Sequence, residues 1–243
     1  MDSAQGSLVG AEGGAERFAP PVPGPPLCPC CGSVRTSPFD ELRVCGRCRH
    51  VWQADLTPTV SYDAAYQLGI THARHAEMSA LRLRLLDGLP QGALVCDFGC
   101  GPGHFVEAAR AAGYQAFGID CGPIRADLRP APRQNQAPWE ALTLFDSLEH
   151  LPRLAEVVEL AAGHQVRLVA VSTPAAPCWF PLGRRWRHYK PGEHLHYFNP
   201  DSLGRLFRDY QACLLMGLED VIRTPWAEHE PNVLTMVFRR RNA

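Results

Sequence analysis

A glycine-rich turn at residues 99–103 constrains the fold of this chain more than any other feature. The segment "VCDFGCGPGHF" puts this turn between a short apolar strand, residues 93–98, and a helical pattern with Gly113 beyond its end. Alternating glycines let the backbone pass close to a ligand, and the start of the following helix offers free N–H groups. Seventeen residues after Gly103, the second predicted strand ends at Asp120, where an acid accepts hydrogen bonds from a ribose diol. An ordinary tight turn with a strand-capping acid is the alternative interpretation.

Strands and helices alternate from this turn onwards. The predicted strands are "ALVCDF", "QAFGID", "ALTLF", "VRLVAVSTP" and "VLTMVFRR". The predicted helices are "GHFVEAARAAG", "LPRLAEVVELAAG" and "PDSLGRLFRDY", the last capped by Asp201 or Ser202, and residues 61–90 also have helical spacing. This order predicts an α/β fold with a doubly wound, mostly parallel sheet and a ligand at the carboxyl ends of its strands. Because the segment between Asp120 and "ALTLF" is short and rich in proline, its helix is predicted to be absent or reduced to a turn.

The glycine turn resembles a known motif. Written with its numbers, "D97-F-G-C-G-P-G103" is similar to the first motif of the class I S-adenosylmethionine-dependent methyltransferases, whose usual form is Asp/Glu-x-Gly-x-Gly-x-Gly. The resemblance covers about residues 60–240 and is to the methyltransferase-domain-23 and ubiquinone-pathway-like group. It implies a Rossmann-like fold and S-adenosylmethionine as the cofactor.

The resemblance also implies roles for individual residues. Asp97 and the turn would hold the methionine end of the cofactor, Asp120 would bind the ribose, and Asp127 is the one candidate for the adenine-binding acid. Phe145 and Asp146 would flank the sulfonium. The full implied cofactor-binding set is Asp97, Gly99, Cys100, Gly101, Gly103, Asp120, Phe145, Asp146 and Ser147.

An acid–histidine pair follows the "ALTLF" strand. Glu149 and His150 lie at the mouth of the predicted site. Ubiquinone-pathway O-methyltransferases carry a similar Glu-His with an additional acid and use it with a divalent metal, and the resemblance would make Asp146 that acid. The alternative is that Glu149 and His150 stabilise a loop, with His150 capping the following helix.

Two Cys-x-x-Cys knuckles precede the α/β region. Their ligands are Cys28, Cys31, Cys45 and Cys48. Four thiolates at this spacing make a closed tetrahedral Zn²⁺ site, which is structural rather than catalytic. We therefore predict a zinc ribbon over residues 27–58, with Cys30 and His50 as spare residues and mixed charges that favour bracing of the neighbouring domain. Buried reduced cysteines are the alternative, which the few apolar residues of the segment disfavour.

A basic and aromatic insertion follows "VRLVAVSTP". Its rings are Trp179, Phe180, Trp186 and Tyr189, and its cations are Arg184, Arg185, Arg187 and Lys190. Cations interleaved with rings suit a phosphorylated, nucleotide-linked or carboxylated acceptor, and they also suit single-stranded nucleic acid. A packed surface loop with solvated charges is the alternative.

The insertion ends in "HYKPGEHLHYF", residues 188–198. In an extended segment His194 and His196 share a face. Because imidazole titrates near neutral pH, the predicted catalytic set consists of histidine bases and a neighbouring acid. This set is His194, His150, His196 and Glu193. A His-x-His metal clamp is disfavoured because no third ligand with suitable spacing lies nearby.

Composition limits the partners and the cellular compartment that we expect for this chain. The formal net charge of −1 argues against a broad nucleic-acid-binding surface. The sequence has no apolar run long enough for a membrane span and no basic-then-apolar signal peptide. Ten cysteines without an export signal indicate a cytoplasmic protein with a metal or reduced thiols.

These observations predict three segments: a disordered lead-in (1–26), the ribbon (27–58) and a methyltransferase domain (59–243). We expect methyl transfer from S-adenosylmethionine to an oxygen or nitrogen of a small, anionic or sugar-like acceptor. A nucleic acid or protein acceptor is the second hypothesis, and a non-catalytic zinc scaffold that binds the cofactor is the third.

Overall fold

The computed structural model describes residues 26–63, 65–66, 74–176, 182–223 and 232–241. The predicted disordered segment lies outside the described residues except for Pro26, and so do Trp179 and Phe180 of the insertion. The described residues form a four-stranded sheet and a six-stranded sheet.

The elements are numbered in chain order. The strands are β1 (Thr36–Phe39), β2 (Leu42–Cys45), β3 (Val51–Gln53), β4 (Leu94–Phe98), β5 (Gln115–Ile119), β6 (Ala141–Phe145), β7 (Leu168–Pro174), β8 (His196–Tyr197), β9 (Tyr210–Met216) and β10 (Val233–Arg240). The helices are α1 (His75–Leu83), α2 (His104–Ala111), α3 (Pro132–Gln136), α4 (Ala155–Gly163), α5 (Pro200–Leu206) and α6 (Asp220–Arg223).

The six-stranded sheet has the order β5-β4-β6-β7-β10-β9. Strands β5, β4, β6 and β7 are parallel, and β10 runs antiparallel to both β7 and β9. Every residue of β6 and β7 is buried, as expected for central strands covered on both faces. The predicted mostly parallel α/β sheet is confirmed, while β9 is a strand that the sequence pattern did not predict.

Helix α2 connects the glycine turn to the sheet. It buries Phe105, Val106 and Ala109, which lie on one side at helical spacing, and it packs against α1. This packing fixes the start of α2, and therefore the preceding turn, against the ends of β4 and β5.

The middle of the sheet is shortened, as predicted. Residues 120–140 are all described, and they contain a 3₁₀ turn (Ala126–Leu128) and the five-residue α3 but no strand. Pro132 begins α3, and Trp139, which is 1% exposed, packs edge-on against Phe117 of β5. The proline-rich segment therefore covers the edge of the sheet without adding a strand to it.

The four-stranded sheet has the order β1-β2-β3-β8, with all pairs antiparallel. Its first three strands lie in the predicted ribbon, whereas β8 comes from the end of the insertion. Val51 pairs with Tyr197, and Trp52 pairs with His196. The apolar residues of the ribbon and of the main sheet form one continuous buried cluster. The ribbon therefore shares both a sheet and a core with the α/β region.

Helix α5 begins with a cap that differs from the predicted one. Asn199 is the N-cap, and its side chain accepts a hydrogen bond from the Ser202 N–H at 3.0 Å, so the expectation of Asp201 or Ser202 as the cap was wrong. Pro200 occupies the first helical position, which places the cap two residues before Asp201. None of the helices in the described ranges has both the length and the apolar character needed to cross a bilayer.

Candidate cofactor and acceptor site

Two cavities meet at the carboxyl ends of the parallel strands. The first has a volume of about 360 Å³ and the second about 530 Å³, and Gly99, Gly101 and Asp146 line both. Of the predicted cofactor residues, the first cavity is lined by Asp97, Gly99, Cys100, Gly101, Phe145 and Asp146. The second is lined by Gly99, Gly101, Asp120, Asp146 and Ser147, together with the predicted catalytic residue His150.

Gly99 and Gly101 of the turn are required for different structural reasons. Gly99 has φ +78°, and a Cβ there would lie 2.4 Å from Cβ of Ser147, so this position admits no side chain. Gly101 has φ +50°, and a Cβ there would meet no atom of the described part of the chain within 4 Å. Since Gly101 lines both cavities, the missing side chain leaves space for a ligand.

Gly103 lines neither cavity. A Cβ there would lie 2.3 Å from Cδ1 of Leu128, a fully buried side chain. This glycine makes room for the core beneath α2 rather than for a ligand, which corrects the expectation that all three glycines serve the ligand.

Asp120 stands at the end of β5 with its carboxylate fixed. Its Oδ2 accepts the Gly101 N–H at 2.8 Å, and its Oδ1 accepts the Gly122 N–H at 2.8 Å. Each carboxylate oxygen keeps a second lone pair that can accept a ribose hydroxyl. Asp127, the predicted adenine-binding acid, lies instead on the surface, where it pairs with Arg125 at 2.9 Å.

Asp97 ends β4 inside the first cavity. It is 4% exposed and accepts the Thr143 hydroxyl at 2.6 Å. Burial raises the pKa of Asp97 to about 7. A cationic ligand group, such as the ammonium of a methionine moiety, would compensate this buried carboxyl.

An ion-pair cluster that sequence reasoning missed closes the floor of the first cavity. Arg82 donates to Glu219 at 2.8 Å and to Asp146 at 2.7 Å, and Arg223 donates to the same two acids. Arg82 also lies 4.5 Å from the ring centroid of Phe145. Arg82 comes from α1 and Asp146 from the end of β6, whereas Glu219 and Arg223 stand at the two ends of α6. The Glu219–Arg223 pair is local, with four residues of spacing, but no local pattern connects it to Arg82 or Asp146.

The cluster changes the expected role of Asp146. Burial opposes its ionisation, but the guanidinium groups of Arg223 and Arg82 hold the pKa of Asp146 well below its usual range. Both arginines bind the same oxygen, Oδ2. Asp146 therefore completes a salt-bridge network, which corrects the expectation that it is the additional acid of a metal site.

His150 lines the second cavity, and its hydrogen bonds define its tautomer. Its Nδ1 lies 2.9 Å from the carbonyl oxygen of Glu193 and 2.9 Å from the hydroxyl of Tyr62. The Glu193 carbonyl can only accept, whereas the Tyr62 hydroxyl can accept or donate, so we assign the proton to Nδ1, which both oxygens can accept, and the lone pair to Nε2. Burial lowers the pKa of His150, so the ring is neutral. The ring bonds to the insertion and does not cap α4, contrary to one of the sequence interpretations.

Two tyrosines that the sequence analysis did not select complete this side of the second cavity. Tyr62 contacts His150, and Tyr66 donates its hydroxyl to Oε1 of Glu193 at 3.3 Å. Both lie within the segment predicted to be helical, residues 61–90, but Tyr62 is in irregular structure, so their spacing of four residues did not indicate this shared lining.

The other predicted catalytic residues do not line either cavity. Glu193 reaches the second cavity through its bonds to Tyr66 and His150. His194 is 4% exposed, and burial lowers its pKa to about 2 while its Nδ1 donates to the carbonyl of His188 at 2.7 Å. His196 is fully buried in β8, and burial lowers its pKa to about 3. The structure therefore does not bring His194 and His196 together on a substrate-facing surface.

Glu149 lies behind His150 and is 1% exposed. Burial raises the pKa of Glu149 to about 8, and its Oε2 has no hydrogen-bond partner among the described residues. Its carboxylate lies within 4.8 Å of one ring nitrogen each of His150 and His194. Both rings use Nδ1–H to bind a backbone carbonyl, which leaves Nε2 free to coordinate. Two imidazoles and one carboxylate therefore fit a divalent cation. The third ligand beside Glu149 and His150 would be His194 and not Asp146, as the sequence had suggested.

The comparison with protein families decides the identity of the domain. A family described as "Methyltransferase domain" matches residues 70–214, more than half of the chain. The chain belongs to this methyltransferase family. A search of curated proteins gave no match.

Solved structures agree in fold with the methyltransferase. One is a chain of the complex between the Haloferax volcanii Trm112 methyltransferase activator and the putative methyltransferase. It is 13% identical to this chain, the match covers 74% of this chain and 95% of that chain, and the TM-score is 0.54. Another is an S-adenosylmethionine-dependent methyltransferase from Archaeoglobus fulgidus, with 13% identity, 68% and 94% coverage, and a TM-score of 0.50. The chain is thus a class I S-adenosylmethionine-dependent methyltransferase with the Rossmann-like sheet predicted above.

The four predicted metal cysteines of the methyltransferase lie together in the ribbon. The sulfur atoms of Cys28, Cys31, Cys45 and Cys48 lie within 4.8 Å of one another. The Cys28–Cys48 and Cys31–Cys45 sulfur distances are 3.6 Å and 3.7 Å. A tetrahedral zinc site with Zn–S bonds of about 2.3 Å has edges of about 3.8 Å. The arrangement fits Zn²⁺, and the remaining cysteine of the first knuckle, Cys30, stays outside the group.

The basic insertion of the methyltransferase faces the ribbon. Arg184 pairs with Glu41 at 2.8 Å, Tyr189 donates to the same carboxylate, and Lys190 pairs with Glu193 at 2.9 Å. Trp186 is buried, with 1% of its surface exposed. None of the described cations of the insertion lines either cavity, so the expected basic wall around an acceptor is not observed there.

Proposed function

We propose that this methyltransferase transfers the methyl group of S-adenosylmethionine to an oxygen or nitrogen of a small acceptor held beside His150. The supporting observation is that the two cavities join at Gly99, Gly101 and Asp146. A cofactor that extends from Asp97 to Asp120 across this junction has its sulfonium near Asp146, at the entrance to the part of the second cavity that contains His150.

The lining of the second cavity indicates the character of the acceptor. Near His150 it consists of the rings of Tyr62 and Tyr66 and the apolar side chains of Leu151 and Pro152. Two of the insertion's four cations, which had favoured an anionic acceptor, pair with acids: Arg184 with Glu41 and Lys190 with Glu193. We therefore favour a neutral or sugar-like acceptor with an apolar face and one reactive hydroxyl or amine.

Methyl transfer needs alignment and a proton acceptor. An acceptor lone pair forms the new bond to the methyl carbon while the carbon–sulfur bond breaks, which releases S-adenosylhomocysteine. The acceptor's proton transfers to Nε2 of His150, which is neutral and carries a lone pair. The positive charge on the imidazolium favours ionisation of the Glu149 carboxyl, which is protonated in the resting site and whose Oε1 lies 4.0 Å from this nitrogen.

Two metal ions are compatible with the side chains. Glu149, His150 and His194 would hold a divalent cation in an alternative state of the site, because the cation would use the Nε2 lone pair of His150; when bound, it would replace His150 as the group that makes an acceptor hydroxyl more acidic. The four ribbon cysteines would hold Zn²⁺ as a structural ion. All described cysteines are free thiols, which supports the proposal of a reducing, cytoplasmic setting.

Calorimetry with S-adenosylhomocysteine tests the cofactor site. We expect Asp120→Ala to weaken binding at least about tenfold, because two ribose hydrogen bonds to a charged acceptor are lost. Asp127→Ala is the matched control: it also removes an aspartate, but from the surface pair with Arg125, and it should leave the dissociation constant within about twofold. Equal effects of the two substitutions would contradict the assignment of Asp120.

An acceptor screen scored by release of S-adenosylhomocysteine tests the catalytic side. On the best acceptor, His150→Ala should lower kcat by about 10²-fold or more while cofactor binding is retained, as expected when a general base is removed. Unchanged kcat in His150→Ala would exclude His150 as the proton acceptor.

A further inference from the structure

We propose that the ribbon is a structural wall of the acceptor site and that His196 is the positioning residue through which it acts. This inference rests on the proposed function because it concerns the same acceptor site. It assigns a role to the ribbon, the buried histidines and the end of the insertion, none of which contacts the cofactor residues described above.

The first connection runs through the backbone. Gln53, the last residue of β3, donates its N–H to the carbonyl of Leu195 at 2.8 Å. Leu195 in turn donates its own N–H to the carbonyl of Glu149 at 2.7 Å. A single residue of the insertion therefore joins the ribbon sheet to the turn that carries Glu149 and His150.

The second connection runs through side chains. His196 lies 2.9 Å through Nε2 from the carbonyl of Leu151, so Nε2 carries the proton and Nδ1 is the acceptor. His50 of the ribbon lies 3.1 Å from that Nδ1 through its own Nε2, and must therefore be the donor. Both rings are fully buried, so breaking either bond leaves a desolvated polar group. The chain of bonds ends on Leu151, which adjoins His150 and lines the second cavity.

The third connection fixes the tautomer of His150. The Glu193 carbonyl accepts the Nδ1–H of His150. Glu193 lies three residues before His196, in the same segment of the insertion. The neighbouring Gly192 carbonyl accepts the N–H of Thr59, the residue that directly follows the ribbon. The position of the Glu193 carbonyl therefore depends on the pairing of this segment with the ribbon.

The cofactor residues are held by different partners. Asp97 is bonded to Thr143 of β6, and Asp120 is bonded to the backbone of Gly101 and Gly122. All of these partners belong to the six-stranded sheet and its turns. Disrupting the contacts between the ribbon and the insertion should therefore change the surroundings of His150, while Asp97 and Asp120 keep their positions.

Substitution of His196 separates positioning from general folding. In His196→Leu the bond to Leu151 is lost at similar side-chain volume, whereas in His196→Gln the amide can still donate to that carbonyl. Long-range ¹H–¹⁵N spectra report the ring tautomer of His150, whose signal is assigned by its loss in His150→Asn. We expect a single Nδ1–H form in the wild type, a mixture in His196→Leu, and recovery of the single form in His196→Gln.

Binding and turnover complete the test. S-adenosylhomocysteine affinity should stay within about twofold in both variants, while kcat on the best acceptor falls about tenfold or more in His196→Leu and recovers in His196→Gln. Cys45→Ser, which removes one ligand of the ribbon metal, should likewise disturb the His150 signal before cofactor binding is lost, when all proteins are compared in buffer free of added divalent cations. An unchanged His150 signal in His196→Leu, or in Cys45→Ser, would overturn the proposal.

The remaining outcomes are also decisive. A parallel loss of cofactor affinity in His196→Leu would show that His196 supports the whole domain, which contradicts a separate acceptor wall. Failure of His196→Gln to restore the tautomer would exclude the Leu151 bond as the link. If the wild type did not bind S-adenosylhomocysteine, the proposed function would fail, but the spectra of His150 would still test the connection to the ribbon.

Discussion

The pH dependence of folding stability provides a sharp test of the environment of Glu149. This carboxyl is 1% exposed, its Oε2 has no hydrogen-bond partner in the described part of the chain, and burial raises its pKa to about 8. In the unfolded chain the same group titrates near 4.5. Between these two values the folded state retains a proton that the unfolded state releases, so stability falls as pH rises.

The magnitude follows from proton linkage. One proton retained by the folded state corresponds to about 1.36 kcal/mol of stability per pH unit. From pH 5.5 to pH 7.5 the wild type should therefore lose about 2.5 kcal/mol through Glu149, and Glu149→Gln, which cannot ionise, should not incur this loss. For a domain of this size the difference corresponds to about 5–10 °C in Tm.

Thermal unfolding at the two pH values, in buffer free of divalent cations, measures the effect. The difference in Tm between Glu149→Gln and the wild type should increase by about 5–10 °C between pH 5.5 and pH 7.5. Glu159→Gln, an exposed glutamate on α4, is the matched control and should show the same difference from wild type at both pH values. A parallel pH dependence for Glu149→Gln and wild type would refute the assignment of a buried, uncompensated carboxyl.

Further predictions concern the turn, the ribbon and the cap of α5. Gly99→Ala should lower the free energy of unfolding by several kcal/mol in chemical denaturation, because the added Cβ collides with Ser147. Gly101→Ala should lower it by only about 1 kcal/mol, yet weaken S-adenosylhomocysteine binding more than tenfold in calorimetry. Cys45→Ser should abolish binding of one zinc ion per chain, measured by metal analysis; retained stoichiometry would contradict the site. Asn199→Ala should destabilise the protein by about 1–2 kcal/mol in urea unfolding, and no change would exclude this cap.

Much of the main sheet could be predicted because its signals are local. Central strands such as β7 are continuous apolar runs, and the turn before α2 has glycines at fixed positions relative to Asp97 and Asp120. The prolines between β5 and β6 likewise predicted the shortened middle. The four-cysteine pattern is local in the same sense, because each knuckle is closed within three residues.

The remainder of the site could not be predicted because its partners are distant in sequence. Arg82 and Glu219 are 137 residues apart, and His50 and His196 are 146 residues apart. Of the segment expected to be extended, only His196 and Tyr197 form a strand, whereas the His194 N–H closes a turn on the Lys190 carbonyl; which face meets substrate depends on pairing with β3. Likewise, the insertion's arginines and rings have the composition of a binding surface, and only the position of Glu41 shows that Arg184 and Tyr189 face the ribbon.

The order of the ribbon sheet has a consequence for the folding pathway. Strands β1 to β3 lie within 18 residues and can pair as soon as they are made, whereas their fourth strand, β8, begins at residue 196. Contacts across so long a separation form slowly, because a large loop must close first. During synthesis the metal knuckles are therefore complete well before the sheet, and the edge of β3 stays open until nearly the whole α/β domain has emerged. The acceptor site is thus expected to be among the last parts of the native structure to form.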